Sequence, residues 1–326
     1  MHIINKTPFK ADAGMMFDHT GENIISFAVK ASFVIPDNDK PAKAAQNQTE
    51  VFISDQPFDK TSNSNIRYPA DTVLKKENTD IILNGTVYSP KPVKRIPALV
   101  RVDNYYKIIE AVGNRIYKRR LSTIGFKITE PEPFLEMPIT CNRLYGGPGF
   151  AENPHGTGFV KDKYQVNNMP LPNFENPKQK ITSYKKQYTP ASFGCAGPAA
   201  EHRRKYAGTY DKNYKETQFP LFPEDLDARF FNTARPELIT KGFLKGGEQV
   251  LLKNLSKKGE IGFQLPVYSF SIIFDLAGEK IIKKPDLCTV LIEPDHERFY
   301  MTWGCSLVLG NRPSKLKYIK LESKEI

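Results

Sequence analysis

The grouping in this chain most open to chemistry is FPEDLDARFFNTA, Phe222 to Ala234. Asp225, Asp227 and Arg229 stand two residues apart, so an Asp–Arg pair can close within one turn. Two carboxylates this close can do general acid–base work. Such a cluster is more often a salt-bridged knot or an interface element anchored by Phe230 and Phe231, and that reading is favoured here. Arg143 and Arg203 can each grip a buried carboxylate bidentately and so hold a loop in place. Nucleophilic chemistry would pair Cys195 with His155 or His202, but no local signature accompanies them. The histidines are His2, His19, His155, His202 and His296, and they include no H-x-x-x-H or H-E-x-x-H pair. His155, Cys195 and His202 can meet in space as a mixed metal site, although isolated surface histidines and small buried cysteines fit the sequence better. YGGPGF and NPHGTGF match neither phosphate-loop pattern and read as turns packed against aromatics. No metal and no cofactor is expected.

These residues lie in a stretch from Cys141 to Ala234 where glycine, proline, asparagine and aromatics crowd together in neither a helical nor a strand pattern. A flexible linker is poor in aromatics, whereas Tyr145, Phe150, Phe159, Phe174, Phe193, Tyr206, Tyr210, Phe230 and Phe231 recur here. The stretch is therefore expected to fold as ordered loops, which are costly to satisfy with hydrogen bonds and are usually functional. Gly146, Gly147, Gly158 and Gly208 are expected to be structural.

The elements on either side read as strands. In NIISFAVKASFVI, Ile25, Phe27, Val29, Ala31, Phe33 and Ile35 recur at every second position, the mark of a strand with one buried face. Asp80 to Tyr88 is a second candidate. Ile96 to Arg120 resembles a meander with tight turns at Asp103-Asn104 and Gly113-Asn114. Pro36 to Tyr68 reads as an excursion with at most a short strand at Glu50 to Ile53. Strands resume at 248–255, 260–265, 267–275, 287–292 and 299–302, with turns at Lys258-Gly259, Ala277-Gly278 and Pro294-Asp295. Helix is scarce: Pro223 to Ala234 holds a turn or two, with Pro223 in the first turn and Glu224 and Asp225 at the N-terminus. The class is mainly β, with antiparallel strands in a sandwich- or barrel-like scaffold around a long ordered loop region. The parts are 1–140, 141–235 and 236–326, forming one compact unit or two lobes.

With 326 residues the chain can bury a sizeable core, and no apolar run approaches the roughly 20 residues needed to span a bilayer. The opening MHIINKTPFKADAG lacks a secretory pattern, and the cysteines Cys141, Cys195, Cys288 and Cys305 are widely spaced, so reduced thiols in the cytoplasm are expected. The net charge is +11. Its lysines are scattered, with one denser run at Tyr117 to Arg120, and no nucleic-acid motif accompanies them. Dispersed lysines are read as a solvated surface that also suits an acidic protein partner.

The order of motifs resembles a bacterial family associated with type VI secretion gene clusters. The likeness covers nearly the whole chain. NKTPF at Asn5 to Phe9 and VKASFVI at Val29 to Ile35 open it. YPADTVLKKENTDIILNGTVYSP follows, with Pro69, Asp71, Lys75, Thr79, Asp80 and Gly85 in the family pattern. PEPFLEMPITCNRLYGG then matches at Pro133, Phe134, Met137, Pro138, Arg143, Tyr145, Gly146 and Gly147. NPHGTGF, LPNFENP, SFGCAGP, AGTYD, FPEDLDARFFNTA, KGGEQVLLKNLSKKGEIGFQLP and VLIEPDHERFYMTW complete the series. The chain departs from the pattern in having AAEHRRK and Tyr214 where relatives carry tryptophan.

The resemblance implies a non-enzymatic cytoplasmic adaptor or chaperone. Such a protein binds a secreted effector, a spike-tip protein or both, and helps load the effector onto the VgrG/PAAR spike. Residues that contact the partner or organise the loops are then Arg143, Tyr145, Asn153, Phe159, Asn173, Phe193, Arg203, Tyr210, Asp211, Asp227, Arg229 and Asn232. The alternative is a hydrolase-type enzyme using Asp225, Asp227, His155 or Cys195. Less favoured is a nucleic-acid-binding protein using Tyr117 to Arg120 and the C-terminal lysines.

Overall fold

The strand Asn23–Val34 organises the molecule. In the computed structural model, which describes residues 2–37, 41–58, 66–120 and 125–325, it lies inside a six-stranded sheet. Lys10–Phe17 and the two-residue strand Lys43–Ala44 pair antiparallel with it, as does Arg298–Gly310 on its other side. Asp286–Glu293 comes next, and Asp80–Leu83 runs parallel beside it. The first and last thirds of the chain thus share a single sheet.

Two-fold alternation in Asn23–Val34 is correct, but one buried face is not: ten of its twelve residues are buried. Ile25, Phe27, Val29, Ala31 and Phe33 pack against a second, four-stranded sheet. That sheet is built from His2–Asn5, Leu316–Glu325, Tyr268–Leu276 and Glu279–Lys283. Phe27 meets Phe274 edge-on at 6.4 Å, and Phe33 lies 5.8 Å from Tyr268. The opposite, polar face is roofed by the excursion that follows. Ser26 donates to the Val73 carbonyl at 2.8 Å, and the Thr49 amide donates to the Ser32 hydroxyl at 3.0 Å. Lys30 reaches Asp71 at 2.8 Å, with both side chains buried. Asp71 also accepts from the Phe52 amide and the Thr302 hydroxyl, at 2.7 and 3.0 Å. A buried ammonium survives only when paired in this way, and here the Phe52 ring adds a cation–π contact at 3.8 Å.

A third sheet of five strands runs Phe174–Glu175, Tyr105–Val112, Arg95–Val102, Gln249–Lys253 and Ile261–Gln264. Phe263 packs 4.9 Å from Phe299, and one apolar core passes through all three sheets. The protein is mainly β, and among the described residues its sheets stay open, with no closed barrel. Most pairings are antiparallel. The parallel ones join Asp80–Leu83 to Asp286–Glu293, His2–Asn5 to Leu316–Glu325 and Tyr145–Gly146 to Thr157–Gly158.

The expected turns at Asp103-Asn104 and Ala277-Gly278 close hairpins. Ala277 and Gly278 have φ of 58° and 103°, the left-handed pair that two-residue hairpins require. Gly113-Asn114 is not a hairpin. There the chain leaves the sheet, and it passes the Glu132 carbonyl oxygen so closely that a Cβ on Gly113 would sit 1.7 Å from it, which only glycine allows. Asp80 to Tyr88 is two strands, Asp80–Leu83 and Thr86–Val93, broken at Asn84-Gly85. Glu50 to Ile53 forms no strand; the short strands of the excursion are Lys43–Ala44, Gln56–Pro57 and Ile66–Tyr68. Pro223, Glu224 and Asp225 start no helix. A single 3-10 turn, Ala228–Phe231, begins after Asp227 instead, and short α-helices form at Glu201–Arg204 and Lys212–Thr217.

Replacing Asp71 with alanine leaves the Lys30 ammonium buried and unpaired. The unfolding free energy is expected to drop by about 3–5 kcal/mol, read as a shift in the urea midpoint. The double variant Lys30→Met/Asp71→Leu should recover most of that loss. A double variant as unstable as Asp71→Ala would show that the carboxylate matters through Phe52 and Thr302 instead.

Candidate functional site

The central segment is fastened to the sheets by side chains that bond to backbone. Arg143 ends a 3-10 turn, Cys141–Arg143, and donates to Asn173 Oδ1 at 3.0 Å. Asn173 in turn donates to the Val112 carbonyl and to Asn114 Oδ1, at 3.0 and 3.1 Å. The loop is thereby tied to the end of the Tyr105–Val112 strand. Asn153 is buried and donates to the carbonyls of Cys141 and Tyr145, at 2.8 and 3.2 Å. Its own backbone crosses Gly146 so closely that a Cβ there would lie 2.1 Å from the Asn153 carbonyl oxygen. Gly146 is structural, as expected from its type.

Tyr145 belongs to a second, smaller core with Tyr117, Val166, Leu171, Ile181 and Tyr188. Phe159 stands at its border, 5.3 Å from Phe150. Phe193 is fully buried, and its carbonyl accepts from the Leu83 amide at 3.1 Å, which covers one end of the outer edge of the six-stranded sheet. Tyr117, the first residue of the basic run, is buried too, leaving Lys118, Arg119 and Arg120 exposed.

At the far end of the segment everything converges on Asp80. Its carboxylate is inaccessible and accepts from Lys76 Nζ at 2.7 Å, Asn232 Nδ2 at 2.9 Å and the Thr233 amide at 2.7 Å. Lys76 spends its other protons on the Cys288 carbonyl and Thr289 Oγ1. Asn232 is therefore an anchor rather than a contact residue.

Among the described residues, Arg143 and Arg203 pair with no carboxylate. Arg203 is buried and donates to the Ala196 carbonyl at 2.6 Å and the Phe230 carbonyl at 3.0 Å, with the Phe230 ring beneath it. A guanidinium offers five donors, so carbonyls satisfy it as readily as carboxylates when a loop must be stapled. The buried carboxylate–arginine cluster of this region is a different one: Glu175 with Arg115 at 2.5 Å and Arg95 at 3.1 Å. Arg115 lies between two strand patterns, and its type alone distinguishes it from no other surface arginine.

The outer layer, residues 206–231, is where side chains reach solvent. Asp227 caps the 3-10 turn and takes two bonds from Arg229, at 2.9 Å from Nε and 2.5 Å from Nη2. These bonds hold its carboxyl down near 2. The Arg229 guanidinium lies 4.0 Å above the Tyr206 ring. Asp211 caps the Lys212–Thr217 helix by accepting from the Tyr214 amide at 2.8 Å. Tyr210 beside it is 48% exposed, set edge-on to Tyr214 at 4.8 Å. Phe219 is 69% exposed, and neighbouring Gln218 fixes the loop by donating to the His19 and Phe222 carbonyls. Sequence reading named Tyr206 only as one of the recurring aromatics and Phe219 not at all, since one aromatic among many carries no mark of exposure.

The groups considered for hydrolysis are engaged elsewhere. Asp225 accepts from the Thr209 amide and hydroxyl, at 2.9 and 2.8 Å, and these bonds lower its carboxyl below the ordinary value. Burial pushes the Cys195 thiol up to about 12, and the thiol donates to the Arg67 carbonyl at 3.9 Å. His155 is exposed in the turn after Asn153. No group of three or more metal-binding side chains forms among the described residues. No described helix is long and apolar enough to cross a membrane.

Residues 20–304 match the model of a family described as an uncharacterized protein conserved in bacteria, DUF2169. This chain belongs to that family. No curated protein and no solved structure matches it.

His202 adds a pH-dependent fastening. Its Nε2–H donates to the Ala234 carbonyl at 3.1 Å, while burial, and then the adjacent Arg235, push the imidazole down from 6.5 to about 4. The folded state therefore binds this proton less readily than the unfolded chain. The contribution of this group to stability is therefore full well above pH 6.5 and is lost as pH drops from 6.5 towards 4. In urea titrations at stepped pH, His202→Asn is expected to flatten that part of the profile. An unchanged slope between pH 6.5 and 4 would assign the acid lability to other groups.

Proposed function

We propose that this protein is a non-enzymatic adaptor or chaperone that binds a type VI secretion effector, a spike-tip protein or both, and helps load the effector onto the spike, acting in the cytoplasm. The observation that carries the reading is the outer layer of the central segment. Tyr210 and Phe219 stand exposed, and Arg229 is held over Tyr206 by Asp227, on a backbone stapled by Arg203, Asp211 and Gln218. Tyrosine, phenylalanine and arginine are the side chains that concentrate energy in protein interfaces. When their rotamers and backbone are fixed beforehand, less entropy is lost on binding. The mostly buried polar residues Arg143, Asn153, Asn173, Arg203 and Asn232 serve that rigidity, and Tyr210, Phe219, Tyr206 and Arg229 are the contacts. The hydrolase alternative draws no support from these bonds, since Asp225, Asp227 and Cys195 each bond to a different partner.

The test is retention of the effector and spike-tip protein encoded in the same gene cluster, measured by biolayer interferometry with purified components. Tyr210→Ala/Phe219→Ala should weaken retention by about tenfold or more while the urea midpoint stays unchanged. In the native host, deletion of the gene should abolish secretion of the matched effector. Normal secretion in the deletion strain would sink the adaptor reading.

A further inference from the structure

The six-stranded sheet has a notch. Arg298–Gly310 pairs along its whole length with Asn23–Val34, but its other neighbour, Asp286–Glu293, accompanies it only as far as Gly304. Among the described residues no strand pairs with the far side of 305–310. A cavity of about 550 Å³ opens at that gap. Its apolar wall includes Ile24, Val73, Leu74, Phe243 and Val308, and Val308 is half exposed.

The charge around the cavity is lopsided. Lys30 neutralises Asp71, and Lys76 is bound to Asp80. That leaves Lys75, Lys283 and Lys284 against Asp286, three positive charges to one negative. Lys75 is partly offset by Glu77 at 3.0 Å and Asp286 lies 3.9 Å from Lys245, whereas among the described residues no ion pair engages Lys283 or Lys284. Lysines on a strand edge commonly serve only to deter self-pairing. An edge that is also backed by an apolar cavity offers more: hydrogen bonds for an incoming backbone, and a pocket for alternate side chains.

We propose that an extended acidic segment of a partner protein docks here, adding a strand alongside 305–310 in line with Asp286–Glu293. Aliphatic side chains enter the cavity, and carboxylates face Lys283 and Lys284. The site deepens the adaptor reading, on which its biological use rests, by supplying a second surface remote in sequence from Tyr210 and Phe219. It also names the chemistry of the partner: acidic residues alternating with aliphatic ones.

The test uses the full chain and a fluorescein-labelled decapeptide of alternating valine and glutamate, with fluorescence anisotropy and amide hydrogen exchange as readouts. Saturable binding and slowed exchange confined to 305–310 are expected. Lys283→Glu/Lys284→Glu should weaken binding roughly tenfold or more, because like charges then face each other. Lys118→Glu/Arg119→Glu, at the separate basic run, should leave it unchanged. Equal loss in both variants, protection elsewhere, or equally tight binding of a lysine-containing peptide or a DNA duplex would overturn the site. If the peptide protects 305–310 yet neither effector nor spike-tip protein is retained, the docking site stands and the adaptor reading falls. If both are retained and show no sensitivity to Lys283→Glu/Lys284→Glu, the adaptor reading stands and this site falls.

Discussion

The Asp80 carboxylate is the constraint on which the arrangement of the central segment depends. It sits at the first position of an edge strand, fully buried, and a charge in such a place is tolerated only if every lone pair is used. Lys76 supplies the countercharge from four residues earlier, and Asn232 and Thr233 supply the remaining donors from more than 150 residues later. Next to it, the Thr79 hydroxyl donates to the Leu287 carbonyl, and Thr79 exchanges bonds with Thr240. The far end of the loop region is therefore pinned to the sheet at one polar knot. Removing one member would strand the others without solvent to replace it.

The same logic recurs at smaller scale. Glu293 is buried beneath Arg67, Tyr68, Arg298 and Tyr300. Burial pushes its carboxyl up, yet the bonds from Tyr68 and Arg298 outweigh that and hold it below the ordinary value. Lys30 and Asp71 do for the excursion what Asp80 does for the central segment. Each long irregular stretch is held to a β sheet by a buried charge whose partners come from distant parts of the chain. The apolar core supplies most of the gain from burial, and these knots select where the loops lie upon it.

This arrangement separates two jobs within one segment. The polar residues facing inward are consumed by carbonyls, amides and carboxylates. The aromatics facing outward, Tyr210 and Phe219, and the Tyr206–Arg229 stack ride on a backbone that has little freedom left. A loop region of this kind presents a surface of defined shape, which is what selective protein recognition demands.

Much of the β framework was legible from local pattern, because alternation, turn residues and β-branched side chains act over a few positions. The strands around Phe27, Val100, Leu251, Phe274 and Leu291 declare themselves in this way, as do the turns at Asp103-Asn104 and Ala277-Gly278. The order of motifs also pointed to a bacterial family, and the match over residues 20–304 shows membership of one conserved in bacteria. Tertiary structure alone decided the rest. Ser26 and Lys30 look solvent-facing in the sequence, and they are buried because Gln48 to Phe52 and Asp71 to Val73 fold back over them. Arg143 and Arg203 look like carboxylate ligands, but the Asn173 side-chain amide met the first and the Ala196 and Phe230 carbonyls met the second. Gly113-Asn114 has the composition of a hairpin, yet no strand pairs back across it among the described residues, and Glu132 packs against Gly113 instead. Burial and partnership depend on what arrives from far along the chain, and short-range spacing carries no record of that.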